Sequence, residues 1–151
     1  MTLIVDLQLA TEAPDLPDEA SFRLWAETAC PDAPEGAEVT LRVVDPEEIR
    51  ALNRDYRGKD RPTNVLSFPF ENPPGVTLPL LGDIILCAEV IASEAAEQNK
   101  PLMHHWAHMV IHGMLHLQGH DHVLDEDAEI MENLERQLLA RLNIPDPYQD
   151  R

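Results

Sequence analysis

Basic residues are scarce in this chain. Eleven Lys and Arg stand against twenty-eight Asp and Glu in 151 residues, a formal net charge of −17. That balance favours solubility and excludes broad, non-specific attraction to nucleic acid or anionic lipid. No stretch approaches the roughly 18 unbroken apolar residues that a membrane span needs. The amino end, MTLIVDLQLATEAPD, has neither a basic region nor a small-residue cleavage site, so no secretory signal peptide is expected. Cysteine is limited to Cys30 and Cys87, far apart and in no metal-ligand spacing. Two buried thiols of a cytoplasmic protein are expected rather than a disulfide. Internal repeats, low-complexity tracts and interdomain linkers are also missing. A chain of this length fits one domain, residues 1–151, with a proper hydrophobic core.

What charge is present is unevenly placed. Asp125, Glu126, Asp127, Glu129, Glu132 and Glu135 crowd the carboxyl third, whereas Arg54, Arg57, Lys59 and Arg61 put four of the eleven basic residues within eight positions. An acidic protein can therefore still carry one local anion site, although a solvated loop would show the same short run.

Alternation at Leu3, Val5 and Leu7 predicts a first strand, and Phe22, Trp25, Ala26 and Ala29 predict a helix over 17–30. Glu38 to Val43 alternates strictly and reads as a strand. Asp45-Pro46 reads as a helix start, with the carboxylate capping and proline in the first turn, and that helix runs to about Tyr56. A polar loop, Arg57 to Pro62, leads to a strand over Asn64–Phe68. Residues 71–81, with three prolines and a glycine, read as an exposed loop. Gly82 to Cys87 is a buried-strand candidate, followed by helices over Ala88–Asn99 and from Pro101 to about Gln118, where Gly119 provides a left-handed stop. A last helix, from about Asp125 to Leu142, carries a stripe at Met131, Leu134, Leu138 and Leu142. About four strands with about five helices predicts an α+β single domain with one mixed sheet.

All seven histidines lie between residues 104 and 122. Within that stretch runs His112-Gly113-Met114-Leu115-His116-Leu117-Gln118-Gly119-His120-Asp121-His122. His112 and His116 are four apart, so on a helix their imidazoles share one face, as two nitrogens on one ion require. A turn at Gly119 lets the chain bring back a third imidazole, from His122 or His120. Three nitrogens leave a fourth tetrahedral position for water, the mark of a catalytic rather than a structural zinc. His104 and His108 continue the four-residue stripe backwards, as second-layer groups, core histidines or an alternative site, with a structural part the expected one.

One further absence is informative. Helical zinc proteases place a glutamate directly after the first histidine as base. Here that residue is Gly113. A mid-helix glycine costs about 1 kcal/mol relative to alanine, which either a close approach by backbone or substrate, or tight helix packing, would explain.

The run His112 to His122 resembles the signature of the YbeY endoribonucleases, a family of bacterial rRNA maturation factors. Tyr56-Arg57-Gly58-Lys59-Asp60-Arg61-Pro62-Thr63-Asn64-Val65-Leu66-Ser67-Phe68 and Gly82-Asp83-Ile84 resemble two further blocks of that family, in the same order. The resemblance implies one zinc ion per chain held by His112, His116 and His122, and a functionally important Arg57. The position of His120 is commonly tyrosine or histidine in the family, which argues against it as the third ligand. The resemblance also implies a cytoplasmic endoribonuclease, specific for single strands, that acts in rRNA processing, late small-subunit maturation and ribosome quality control. Ribosomal RNA, the small subunit with one of its proteins, and an assembly GTPase are the implied partners; no membrane is.

On this reading Arg57 grips a phosphate through its planar guanidinium, and Lys59 and Arg61 add positive potential along the RNA backbone. Asp121 is a candidate to orient a histidine or handle a proton. The plain structural alternative for Arg57 is an ion pair with Asp55 or Asp60. Two other function classes stay open: a zinc hydrolase of another substrate class, against whose protease version Gly113 counts, and a non-catalytic assembly factor whose zinc pins the terminal helices.

Overall fold

Ile84, Ile85, Leu86 and Cys87 are consecutive and all buried, which requires a strand covered on both faces. The computed structural model describes residues 3–76, 78–121 and 123–148 and places this run in the interior of a four-stranded sheet. The strands are β1 (Ile4–Ala10), β2 (Glu38–Val44), β3 (Val65–Pro69) and β4 (Leu80–Cys87), in the order β1-β2-β4-β3. β1, β2 and β4 run parallel, and β3 joins β4 antiparallel as an edge strand.

Five helices cover the sheet: α1 (Glu19–Thr28), α2 (Pro46–Arg57), α3 (Ala88–Glu97), α4 (Leu102–Leu117) and α5 (Asp125–Arg141). The α+β expectation therefore holds in class, strand number and helix number. On one face Val39, Leu41, Val43, Ile84 and Leu86 join Phe22, Trp106, Ile111 and Met114 in the larger core. On the other, Val44, Ile85 and Cys87 meet Ile49 and Leu66 in a smaller one. Cys30 and Cys87 are buried free thiols.

α4 organises the larger core. Residues 105–111 and 113–115 are all buried, as in a helix enclosed on every side. It contacts α1, α3, α5, β3 and β4. Gly113 sits where α4 crosses β4. A methyl group there would lie 2.8 Å from Ile84 Cγ2 and 3.1 Å from its Cδ1. Tight packing, not substrate approach, explains this glycine. α4 ends where Gly119 takes φ +96°, and the His120 N–H donates to the Leu115 carbonyl at 3.0 Å.

One expectation fails locally. Asp45 precedes α2, but its side chain makes no capping bond to the helix. Its carboxylate instead accepts from the Thr11 hydroxyl, tying the end of the β1 segment to the start of α2. Asp18 does cap its helix, accepting from the Ser21 N–H at 2.8 Å.

Gly113→Ala tests the crossing. Alanine gains about 1 kcal/mol of helix propensity, but overpacking against a branched, buried side chain costs about 1–3 kcal/mol. The expected result is a lower denaturation midpoint at unchanged slope. A midpoint equal to or above wild type would show that Ile84 gives way.

Candidate functional site

His104, His108, His112 and His116 recur every fourth residue, so one side of α4 carries a column of imidazoles. His108 is buried, and His112 and His116 are half-buried. The His112 and His116 ring centroids lie 4.8 Å apart with planes at 74°. Both rings line a cavity of about 460 Å³ that also takes in Asn53, Arg57, Lys59, Arg61, Asn64 and Ser67. The two sequence blocks that looked separate, the basic run and the histidine run, thus line one cavity.

The basic residues are held by the end of α2. Gly58 closes the helix in the left-handed conformation, φ +71°. The Lys59 N–H then donates to the Asn53 carbonyl at 3.2 Å, and the buried Asn53 side chain donates to the Arg61 carbonyl at 2.9 Å. Arg57 donates through Nη2 to the Ser67 carbonyl of edge strand β3 at 3.2 Å. The acids beside this loop are already engaged: Asp60 with Arg50 at 2.8 Å and Asp55 with Arg54 at 3.0 Å. The ion-pair alternative for Arg57 is therefore not what forms. Among the described residues, no carboxylate lies within ion-pair distance of Arg57, Lys59 or Arg61.

Behind the column lies a group that the sequence reading did not single out. Glu135 of α5 is fully buried, yet carries a carboxylate. One of its oxygens lies 2.8 Å from His112 Nδ1 and 3.2 Å from His108 Nε2, and the other accepts from the Tyr148 hydroxyl. Burial alone would raise its pKa, but the hydrogen bonds from His108 and His112 prevail and hold it well below the usual carboxylate range. Burial pushes the His108 imidazole below its ordinary value, outweighing the pull of Glu135. A neutral His108 that donates from Nε2 has no proton on Nδ1, consistent with the missing hydrogen-bond partner there. The signal for Glu135 was available. It lies between Met131 and Leu138 on the apolar stripe of the last helix, so a carboxylate there had to be buried. Tyr148, Asn53, Asn64 and Ser67 gave no comparable signal.

The remaining histidines divide. His105 is a core residue, bonded at 2.8 Å to Glu94, whose carboxylate also accepts from the Asn64 amide at 3.1 and 3.2 Å. His104 lines a separate cavity of about 150 Å³ with Lys100 and Asp146. His120 is half-buried just beyond α4, and exposed Asp121 accepts from the Val123 N–H at 3.0 Å. His122, the expected third ligand, lies outside the described residues.

Among the described residues, two donor groups could hold a metal, and they share His112. One is the His112–His116 pair facing the cavity. The other is His108, His112 and Glu135, whose candidate ligand atoms lie within 4.8 Å of one another. Neutral imidazole nitrogens suit zinc. The Nδ1 of His112 meets Glu135 at 2.8 Å, and the same ring lines the cavity. The donors present thus fit a zinc ion.

A model of the endoribonuclease YbeY family matches residues 11–143, most of the chain. The solution structure of TM1509 from Thermotoga maritima is similar in fold: TM-score 0.58, 25% identity, 93% of this chain and 92% of that one covered.

The pKa of His108 fixes a pH dependence. Its folded value lies below the ordinary 6.5, so as pH falls the unfolded chain takes the proton first. Its contribution to stability is intact above about 6.5 and declines below that. In metal-free protein, the wild-type melting temperature should fall between pH 7 and 5.5 relative to that of His108→Gln. Parallel curves for the two proteins would mean that the fold accepts the charged imidazole.

Proposed function

The chain belongs to the YbeY endoribonuclease family, and from that membership and the cavity we propose a zinc-dependent endoribonuclease that cleaves single-stranded ribosomal RNA. Its setting is the cytoplasm, in rRNA processing, late small-subunit maturation and ribosome quality control. The small subunit with one of its proteins, and an assembly GTPase, are its proposed partners. No helix among the described residues is long and apolar enough to cross a membrane.

One observation carries the reading. In a chain of net charge −17, three cations with no carboxylate partner among the described residues line the same cavity as two imidazoles four residues apart. A polyanion bound there meets Arg57, Lys59 and Arg61 without displacing an acid first.

His112, His116 and His122 are the proposed ligands of one zinc ion per chain. When bound, the ion supplies Lewis acidity towards a phosphate oxygen and towards water. The protein's own part is positioning. Arg57 spends one N–H on the Ser67 carbonyl, which fixes the guanidinium plane and leaves further donors for phosphate oxygens. Lys59 and Arg61 hold the adjoining backbone. Asp121 is a candidate proton carrier near the turn.

Metal content by mass spectrometry, with cleavage of a structured rRNA fragment before and after chelation, tests the proposal. About one zinc per chain is expected, with cleavage lost on chelation and restored by zinc. Stoichiometric zinc with cleavage indifferent to chelation would mean that the metal is structural or the nuclease a contaminant, and would favour the assembly-factor reading. His116→Ala should lose metal and activity together. Arg57→Ala should keep its zinc and lose roughly a hundredfold in kcat/KM, the scale of one removed transition-state donor. An Arg57→Ala enzyme as active as wild type would end the phosphate-gripping role. Three phosphate contacts imply a shallow salt dependence for single-stranded RNA, a log–log slope of about −2.

A further inference from the structure

The segment after α5 is tied down link by link. Asp146 accepts from Arg136 Nε at 3.1 Å through each oxygen, and from the Tyr148 N–H at 2.8 Å. Lys100 Nζ donates to the Pro147 carbonyl at 2.9 Å. The Arg136 guanidinium lies 5.3 Å over the Tyr148 ring, and His108 meets that ring edge-on at 5.4 Å. These links deliver one phenolic hydroxyl to the buried carboxylate of Glu135, 13 residues earlier in the chain.

We propose that Asp146–Tyr148 is a positioning element of the metal centre. Tyr148 and His108 fix the Glu135 carboxylate, Glu135 accepts a hydrogen bond from the Nδ1–H of His112, and the proton is thereby held on Nδ1, so that Nε2 is the nitrogen that serves the ion. The inference rests on the reading of His112 as a zinc ligand.

Between His112 and Glu135 the geometry favours orientation over shared ligation. Two ligands on one tetrahedral zinc stand roughly 3.3 Å apart when each bond is about 2.0 Å. The His112 Nδ1–Glu135 distance of 2.8 Å is that of a charge-assisted hydrogen bond. A carboxylate behind a zinc-bound imidazole fixes tautomer and ring orientation and raises ligand basicity. Glu135 and Tyr148 are therefore positioning residues and touch neither ion nor substrate.

Two conservative variants test it without reference to nuclease activity. Glu135→Gln keeps the shape and removes the charge, and Tyr148→Phe removes one hydroxyl near the chain end. Zinc affinity is read by competition with a chromogenic chelator. Glu135→Gln should weaken it about 10- to 100-fold, and Tyr148→Phe by a smaller factor in the same direction. In metal-free wild type, ¹H–¹⁵N correlation of the histidine rings should find His112 protonated at Nδ1. A His112 ring protonated at Nε2 would overturn the proposal, whether or not the protein cleaves RNA. So would unchanged zinc affinity in folded Tyr148→Phe and Glu135→Gln. Complete loss of zinc in Glu135→Gln, with retention in His116→Ala, would make Glu135 a ligand itself. That outcome would sink both the positioning role and the assignment of the cavity-side histidines. Weakened zinc binding without any RNA cleavage would leave the positioning role standing and remove only the nuclease.

Discussion

A carboxylate with none of its surface in contact with water must be satisfied by hydrogen bonds or lose its charge. Glu135 meets that requirement without Lys or Arg, through two imidazoles and a phenol. These donors come from α4 and from the chain end, so the anion draws α4, α5 and the tail to one point. Being an acceptor only, it also decides where protons sit on the rings around it. In the proposed arrangement His112 carries its proton on Nδ1, and His108 keeps its Nδ1 bare. The chemistry of the cavity-facing ring is thus governed from its buried side.

That arrangement depends on how closely α4 lies on the sheet. Gly113 lets the helix approach Ile84, and its carbonyl accepts from Ser67 Oγ of β3 at 3.4 Å. The next residue pair outward, His112 and His116, therefore lies beside the edge strand and not above the sheet centre. The Ser67 carbonyl meets Arg57 coming from α2. One edge strand is bonded to both walls of the cavity, the histidine helix through a side chain and the basic segment through its backbone.

Most of this architecture was legible in local pattern. The alternation at Glu38–Val43, the continuous run before Cys87 and the glycine after His116 all map onto elements with ends displaced by a residue or two. The 112/116 spacing was legible because helix geometry alone puts those rings together. What escaped depended on contacts distant in sequence. Asp45 looked like a cap because the residue preceding a Pro-initiated helix usually is one, yet Thr11, 34 residues away, holds its carboxylate. The ion-pair alternative for Arg57 did not form, because Asp55 and Asp60 are held by Arg54 and Arg50. Glu135 was counted among the acids crowding the carboxyl third, when its place on the Met131–Leu138 stripe marked it as the one turned inward.

The same distribution of partners explains how so acidic a chain can carry an anion site. Net charge sets the far field, which decays over about 8–10 Å at physiological ionic strength. Within that distance the local pairing pattern decides. Arg50 and Arg54 neutralise the carboxylates nearest the loop, and Arg57, Lys59 and Arg61 remain uncompensated around one cavity. Inside that screening distance the local cations therefore offer a phosphate group an attraction that the net charge alone would deny it.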